Sequence, residues 1–254
     1  MKTITYDTIS LQSDDIITTE VESYSSANVQ NQIEPLTLSD GGILVKRRLS
    51  PKIVQISGYM RKDTQAELEA VIDFFHQSLN KKQKFLDMDY NGATRRYIAT
   101  PQTPMIMRSR GLNYAEFSVD FLVPAGYGSD TESTTLLDTT TSSSNIDLSF
   151  EVGGSYRAEP LIEITIDAVT GGTGASISVS NTTTLETVTV SADYTAGDVL
   201  EIDVENKECR INGGIVDFTG RIPSWVAGTG LINYTDTFTT RTTDILLTYT
   251  KRYI

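Results

Sequence analysis

The chain has 254 residues, a formal net charge of −12 and a single cysteine. This length suits either one large β domain or two domains of about 100–150 residues. One thiol, Cys209, excludes both an intrachain disulfide and a zinc site built from several cysteines, because each needs more thiols. We expect Cys209 to be a small buried apolar residue.

The charge is unevenly distributed along the chain. Residues 1–126 carry 14 Lys and Arg against 15 Asp and Glu, whereas residues 127–254 carry 7 against 18. Tight binding to nucleic acid requires clustered basic residues that neutralise phosphates, so the acidic second half argues against it. An acidic wall is still compatible with DNA that passes nearby without being held.

The first fifteen residues, MKTITYDTISLQSDD, have a polar residue at every second or third position. They lack the continuous apolar core of a secretion signal. No other stretch approaches the ~20 apolar residues of a membrane span. We therefore expect a soluble protein that is synthesised in a cytoplasm.

Residues 64–80 predict the one clear helix of the chain. Thr64 and Glu67 have the spacing of a capping box, in which each side chain accepts a hydrogen bond from the backbone amide of the other. Phe74 lies off the apolar stripe of this helix and is either a contact with another molecule or a partly covered residue at the flank of the stripe. The stripe residues recur at intervals of three and four: Leu68, Val71, Ile72, Phe75 and Leu79.

Strands surround this helix and define a first domain over residues 1–128. Asn91-Gly92 suits a two-residue hairpin turn, because both positions tolerate positive φ. The helix has no helical partner elsewhere in the chain, so its stripe should pack on a sheet. We predict an α+β domain, an antiparallel β-sandwich with one packed helix. Its predicted strands are Ile53–Tyr59, Lys84–Tyr90, Ala93–Ala99 and Tyr114–Val123.

The segment from Pro124 to Gly128 ends the last of these strands with a proline and two glycines. The Ser/Thr-rich run that follows, residues 129–145, predicts a linker or the entry to a second domain. Since threonine-rich segments also form edge strands, the run need not be irregular.

Residues 146–254 predict a second, all-β domain, so that the protein as a whole is mainly β. Short alternating segments are separated by turn residues, which is typical of a β-sandwich or jelly roll of the galectin or carbohydrate-module kind. The predicted strands are Pro160–Ile166, Ala175–Ser180, Thr187–Val190, Val199–Val204, Cys209–Ile211, Gly214–Phe218 and Asp244–Tyr249.

No catalytic constellation is recognisable, and we expect neither an enzyme nor a bound metal or cofactor. His76 is the only histidine and has no nucleophile at a suggestive spacing. The segment Asp87–Gly92 matches the opening of a calcium-binding loop, but Ile98 stands where the bidentate glutamate is required. We therefore interpret it as a hairpin. A glycosidase-like carboxylate pair is not excluded by counting, although no local signature marks one.

Basic residues are the second candidate assembly feature of the first domain. Two interpretations are open for them, solvated loops or ion pairs with carboxylates of a neighbouring subunit, and we favour the second hypothesis for some of them. The residues are Lys46, Arg47, Arg48, Arg95, Arg96, Arg108 and Arg110.

Carbohydrate binding is the main alternative function for the second domain. Acidic β-sandwiches bind sugars through exposed aromatic side chains, and Trp225 follows Pro223 in a predicted loop. Trp225 is the candidate glycan contact under this hypothesis. The other available aromatic residues are Tyr156, Tyr194, Tyr234 and Tyr253, and core or interface positions are the alternative for all of them.

Short motifs over nearly the whole chain resemble the distal tail proteins of long-tailed, siphovirus-type bacteriophages. Ser57–Ala99 and Ser118–Gly128 resemble the N-terminal domain of that family. The second half resembles its C-terminal sandwich through four further motifs: Gly154 with Glu159–Ile162, Gly197–Asp203, Ile222–Gly228 and Thr250–Ile254.

This resemblance implies a non-enzymatic structural protein of the virion. Members of the family form a homo-hexameric ring at the tail tip, with the N-terminal domains around a central channel and the C-terminal domains outside. The ring joins the tail tube protein to the hub, fibre or receptor-binding proteins, and DNA crosses its lumen. The alternative that the sequence leaves open is a carbohydrate-binding host-adhesion protein.

Overall fold

A computed structural model describes residues 3–23, 26–36, 40–89, 92–102, 104–108 and 113–254 of the chain. The chain divides into two compact units, Met1–Thr131 together with Ile254, and Glu132–Tyr253. The described residues are mainly in antiparallel strands, with one helix among them, which confirms the predicted fold class. None of these residues belongs to a helix that is long and apolar enough to span a membrane.

The first unit contains eleven strands and helix α1 within its described residues. The strands are β1 (Ile4–Tyr6), β2 (Ile9–Ser10), β3 (Ile16–Glu22), β4 (Val29–Pro35), β5 (Gly42–Leu49), β6 (Lys52–Arg61), β7 (Lys84–Asp89), β8 (Thr94–Pro101), β9 (Met105–Arg108), β10 (Tyr114–Val123) and β11 (Gly128–Ser129), and α1 covers Gln65–Leu79.

The main sheet of the first unit has the order β2-β1-β7-β8-β10-β6-β3, with β9 beside β10 and β11 beside β8. Its longest ladder joins β10 to β6 over ten residue pairs, from Tyr114↔Arg61 to Val123↔Lys52. Side chains alternate across this ladder, as the pleat of a strand requires. The inward side chains form the core: Val54, Ile56, Met60, Ala115, Phe117, Val119 and Phe121.

Helix α1 closes this core from one side. The Thr64 hydroxyl accepts the Glu67 amide, and the Glu67 carboxylate accepts the Thr64 amide at 3.1 Å, so the predicted capping box is present. Four of the five stripe residues are buried, while Val71 is half-buried. The Phe75 ring lies 5.0 Å from the Phe117 ring of β10. The predicted packing of the helix on its own sheet is confirmed.

The predicted hairpin between β7 and β8 is present as an antiparallel pair from Lys84↔Ala99 to Asp89↔Thr94. Tyr90 and Asn91 lie outside the described residues. Gly92 has φ 93°, and its amide donates to the Asp89 carboxylate at 2.6 Å. The Asp89 carboxylate therefore stabilises the turn of a hairpin.

The second unit contains twelve strands. They are β12 (Thr134–Thr141), β13 (Asn145–Val152), β14 (Leu161–Thr170), β15 (Ala175–Asn181), β16 (Glu186–Ala192), β17 (Val199–Asp203), β18 (Glu208–Ile211), β19 (Gly214–Val216), β20 (Thr219–Gly220), β21 (Gly228–Asp236), β22 (Thr240–Tyr249) and β23 (Arg252–Tyr253).

Two antiparallel sheets make a sandwich in the second unit. One has the order β12-β22-β14-β17-β18-β19 and the other β13-β21-β15-β16-β20. Inward residues from both sheets form one apolar cluster, as expected for face-to-face packing. It includes Ile162, Ile164, Leu200, Leu247, Val179, Val188, Val190 and Ile232.

The Ser/Thr-rich run over residues 129–145 contains β12, a strand at the edge of the six-stranded sheet. The division between the units falls after Thr131, and β13 starts at Asn145. The run therefore contributes a strand to the second unit. Besides β12, five strands of at least seven residues were not predicted from the sequence, namely β3, β4, β5, β13 and β21.

Candidate assembly surface

Strands β4 and β5 form a two-stranded ribbon in the first unit. Among the described residues they pair only with each other, from Val29↔Leu49 to Pro35↔Gly42. Every residue of β4 is exposed, and so is every residue of β5 except the half-buried Leu49. We call this β4–β5 ribbon the arm.

The register of the arm gives it two chemically different faces. Ile33 pairs with Leu44, and Asn31 pairs with Arg47, on the face that also carries Val29. Side chains alternate between the faces, so Gln30, Gln32, Glu34, Lys46 and Arg48 lie on the opposite one, together with Ile43, which pairs with Glu34. We call the two the apolar face and the polar face of the arm.

A bulge separates the tip of the arm from its base. Gln32 pairs with Lys46 and Ile33 with Leu44, which leaves Val45 without a partner in the ladder. On the polar face, the Arg48 guanidinium donates to the Gln30 side-chain oxygen at 2.8 Å. Arg48 is thus engaged within the arm.

The apolar face of the arm is uncovered. Ile33 is 64% exposed and Leu44 is 54% exposed. An isolated two-stranded ribbon is at best marginally stable in water, and contiguous exposed apolar residues mark interaction sites. This ribbon therefore has both the shape and the composition of a segment that packs on another molecule.

The outward side of helix α1 is a second uncovered surface. Phe74 is 53% exposed, next to the fully buried Phe75. Asp73 is exposed beside it. The helix carries Glu67, Glu69 and Asp73 and contains no Lys or Arg, so this side is acidic as well as partly apolar.

The basic residues predicted as one cluster lie on separate elements. Arg47 and Arg48 are on the arm, Arg95 and Arg96 are on β8, and Arg108 is on β9. The side chain of Arg108 and the whole of Arg110 lie outside the described part of the chain. The basic residues are therefore divided among the arm, β8 and β9.

Arg96 has its carboxylate partner within the same chain. Its guanidinium makes two hydrogen bonds of 2.8 Å to Asp87 and stacks on the Phe85 ring, with 4.4 Å to the centroid. The Asp87 carboxylate raises the pKa of Arg96 above its ordinary value. Burial, together with the nearby positive charge of Arg95, lowers the pKa of Lys52.

Residues 153–253 match the family model described as the siphovirus-type tail component, C-terminal domain. This match lies within the second unit, and we call the matched segment the tail-component domain after that model. The resemblance to phage distal tail proteins that the sequence motifs predict is confirmed. No curated protein matches the chain.

The fold of the whole chain is similar to that of the SPP1 Dit (gp 19.1) protein, which is described as a paradigm of hub adsorption apparatus in Gram-positive infecting phages. The TM-score is 0.72 at 13% identity, and all of each chain is covered. A weaker likeness, with a TM-score of 0.43 at 7% identity over 98% of each chain, is to the phage p2 baseplate in its activated conformation.

Trp225 lies inside the tail-component domain, and the prediction that it contacts a glycan is wrong. Its side chain is only 3% exposed, because its ring packs against Phe150 at 5.6 Å and its indole nitrogen donates to the Leu231 carbonyl at 3.0 Å. Tyr194 and Tyr234 are buried as well. Trp225, Tyr194 and Tyr234 therefore offer no exposed ring to a sugar, while Tyr156 and Tyr253 are half-buried.

The remaining candidate residues, His76 and Cys209, are considered one at a time because they lie in different units. His76 is exposed and borders a depression of about 500 Å³ with Gln77, Asn80 and Pro101. No group of three or more His, Cys, Asp or Glu side chains within the described ranges could hold a metal ion. Burial of Cys209 in the tail-component domain raises its thiol pKa to about 11.

Proposed function

We propose that this protein is the hub of a phage tail tip, a homo-hexameric ring that joins the tail tube to the host-adsorption apparatus. The first units surround a lumen through which DNA passes without being tightly bound. Its partners are the tail tube protein on one side and hub, fibre or receptor-binding proteins on the other. The protein is made in the bacterial cytoplasm and resides at the virion tail tip.

Two findings support this role. Residues 153–253 match the model of a siphovirus-type tail component, and the fold over the whole chain is similar to that of a protein described as a hub of an adsorption apparatus. The nearly balanced charge of residues 1–126, with 14 Lys and Arg against 15 Asp and Glu, agrees with transient passage of DNA, because no large excess of basic residues retains the phosphates. We assign no enzymatic activity to the protein.

The single observation that carries the proposal is the uncovered apolar face of the arm. Ile33 and Leu44 are directly paired, and both are more than half exposed. A ribbon that presents such residues gains stability by packing on a neighbouring molecule. A protein whose function is to assemble requires this kind of surface, whereas a monomeric enzyme or adhesin does not.

Native mass spectrometry combined with negative-stain microscopy tests the proposal. We expect a particle of about six times 27.9 kDa, seen as a ring with a central opening. A particle that stays monomeric at the highest attainable concentration would contradict the hub role. A monomer that binds host polysaccharide would instead support the carbohydrate-binding alternative.

A further inference from the structure

The uncovered surfaces of the first unit differ in charge. The arm strands hold Lys46, Arg47 and Arg48 against a single acid, Glu34. Helix α1 holds three acids and no Lys or Arg. The two surfaces are therefore complementary in charge, and both expose large apolar side chains.

Arg47 is the basic residue that best fits a contact with the helix. It lies on the apolar face of the arm, opposite Asn31 and beside the Ile33–Leu44 pair. Asp73 precedes Phe74 in the chain, about 100° around the helix from it, and both side chains are exposed. The arm thus presents a cation beside its apolar pair, and α1 presents an acid and a large apolar side chain on its exposed side.

One other exposed apolar pair in the first unit fits the arm less well. Phe85 and Ile98 are direct cross-strand neighbours on β7 and β8, and each is about half exposed. The Arg96 guanidinium stacks on this Phe85 ring. The guanidinium covers part of this ring, so the pair offers less free apolar surface to the arm.

We infer that the apolar face of the arm of one copy docks on the outward side of α1 of a neighbouring copy, with Phe74 as the central apolar contact and Arg47 facing Asp73. This inference rests on the proposed self-assembly and specifies the contact that produces it. The occupant is a second copy, because the arm and its complementary surface occur on the same chain and remain uncovered within it.

The inferred contact has a consequence for the symmetry of the assembly. The arm and α1 are different patches of the same molecule, so their contact is heterologous. Each copy then offers one arm and accepts another. Heterologous contacts close into a ring when the rotation between copies permits it, and this agrees with a cyclic hexamer rather than a two-fold dimer.

Charge reversal tests the inference, with a matched control on the adjacent residue. Arg47→Glu should weaken self-association at least tenfold, whereas Arg48→Glu should change it little, since Arg48 lies on the polar face. Asp73→Arg should weaken it similarly. The double variant Arg47→Glu/Asp73→Arg should recover most of the loss, while Arg47→Glu/Asp138→Arg should not. Sedimentation velocity gives the association constants, and circular dichroism checks that each variant is folded.

A mixing experiment gives a second and independent test. Arg47→Cys protein is co-expressed with Asp73→Cys protein and treated with a short bifunctional maleimide. A cross-linked dimer should form in the mixture and not with either variant alone. The native Cys209 is buried and should not interfere.

The outcomes separate this inference from the proposed hub role. A wild-type ring together with no cross-link and no rescue by the double variant would overturn the docking site while leaving the ring intact. A monomeric wild-type protein would overturn both. Rescue by the charge swap together with a cross-link confined to the mixture would establish the contact.

Discussion

Phe74 and Phe75 are adjacent on helix α1 and lie in opposite environments. The Phe75 ring is fully buried 5.0 Å from Phe117, whereas Phe74 is 53% exposed. Replacing Phe75 with alanine should lower the free energy of unfolding by about 3–5 kcal/mol, because the change leaves a cavity in a packed core. Chemical denaturation of the purified protein measures this loss.

The matched control is Phe74→Ala. This change should leave the free energy of unfolding within about 0.5 kcal/mol of the wild type, as for other exposed positions. It should nevertheless reduce self-association. Equal destabilisation by both substitutions would show that Phe74 belongs to the core of the unit.

Gly58 of β6 gives the second prediction. A Cβ atom at this position would lie 2.1 Å from the Ile17 carbonyl oxygen and 2.9 Å from the Phe117 ring. Gly58→Ala should therefore cost about 1–3 kcal/mol by overpacking, measured as a lower midpoint of urea unfolding of the first unit. Gly214→Ala is the control, because its nearest neighbour is the Ile211 oxygen at 3.4 Å. If Gly58→Ala is tolerated as well as this control, strands β3 and β6 are not packed as described.

Trp225 gives the third prediction. Trp225→Ala should destabilise the tail-component domain by about 3–5 kcal/mol, because it removes a buried ring and leaves the Leu231 carbonyl without its donor. The adjacent Val226 is 75% exposed, so Val226→Ala should have little effect. Thermal unfolding compares the two variants. Specific loss of glycan binding by a fully stable Trp225→Ala protein would contradict the buried position.

Cys209 gives the fourth prediction, which depends on pH. Its raised pKa of about 11 keeps the thiol protonated at pH 8 in the folded protein, and only the thiolate reacts quickly with alkylating reagents. The native protein should therefore resist iodoacetamide at pH 8. Denaturant exposes the thiol and returns its pKa toward the ordinary value, so labelling should then be fast. Rapid labelling of the native protein would show that the thiol is accessible.

The sequence predicts well those elements whose signals are local. The capping box of Thr64 and Glu67 and the stripe ending at Leu79 specify the helix by themselves. Strand β10 coincides with the predicted Tyr114–Val123, because one of its faces is entirely buried and the polar–apolar alternation is therefore unbroken.

The arm escaped prediction because its pattern is obscured. Ile43, Leu44 and Val45 are consecutive apolar residues, and the bulge at Val45 breaks the two-residue period. Because no core covers the arm within its own chain, its sequence need not alternate strictly between apolar and polar residues. Its arginines consequently resemble residues of a solvated loop.

The prediction that Trp225 is exposed failed for a different reason. Its local sequence, with Pro223 two residues earlier, predicts a loop, and the loop does lack regular strand structure apart from an isolated bridge to Ala158. Burial of its ring depends on Phe150, which lies 75 positions earlier in the chain and belongs to β13. Contacts of that separation cannot be read from short motifs.

The most direct test of assembly through the arm is the native mass of an Ile33→Asp variant beside a Gln32→Asp control. Ile33 is on the apolar face and Gln32 on the polar face, and both are exposed, so neither change should unfold the protein. We predict that Ile33→Asp is a folded monomer while Gln32→Asp retains the mass of a hexameric ring. An Ile33→Asp protein that assembles as fully as the control would contradict the account.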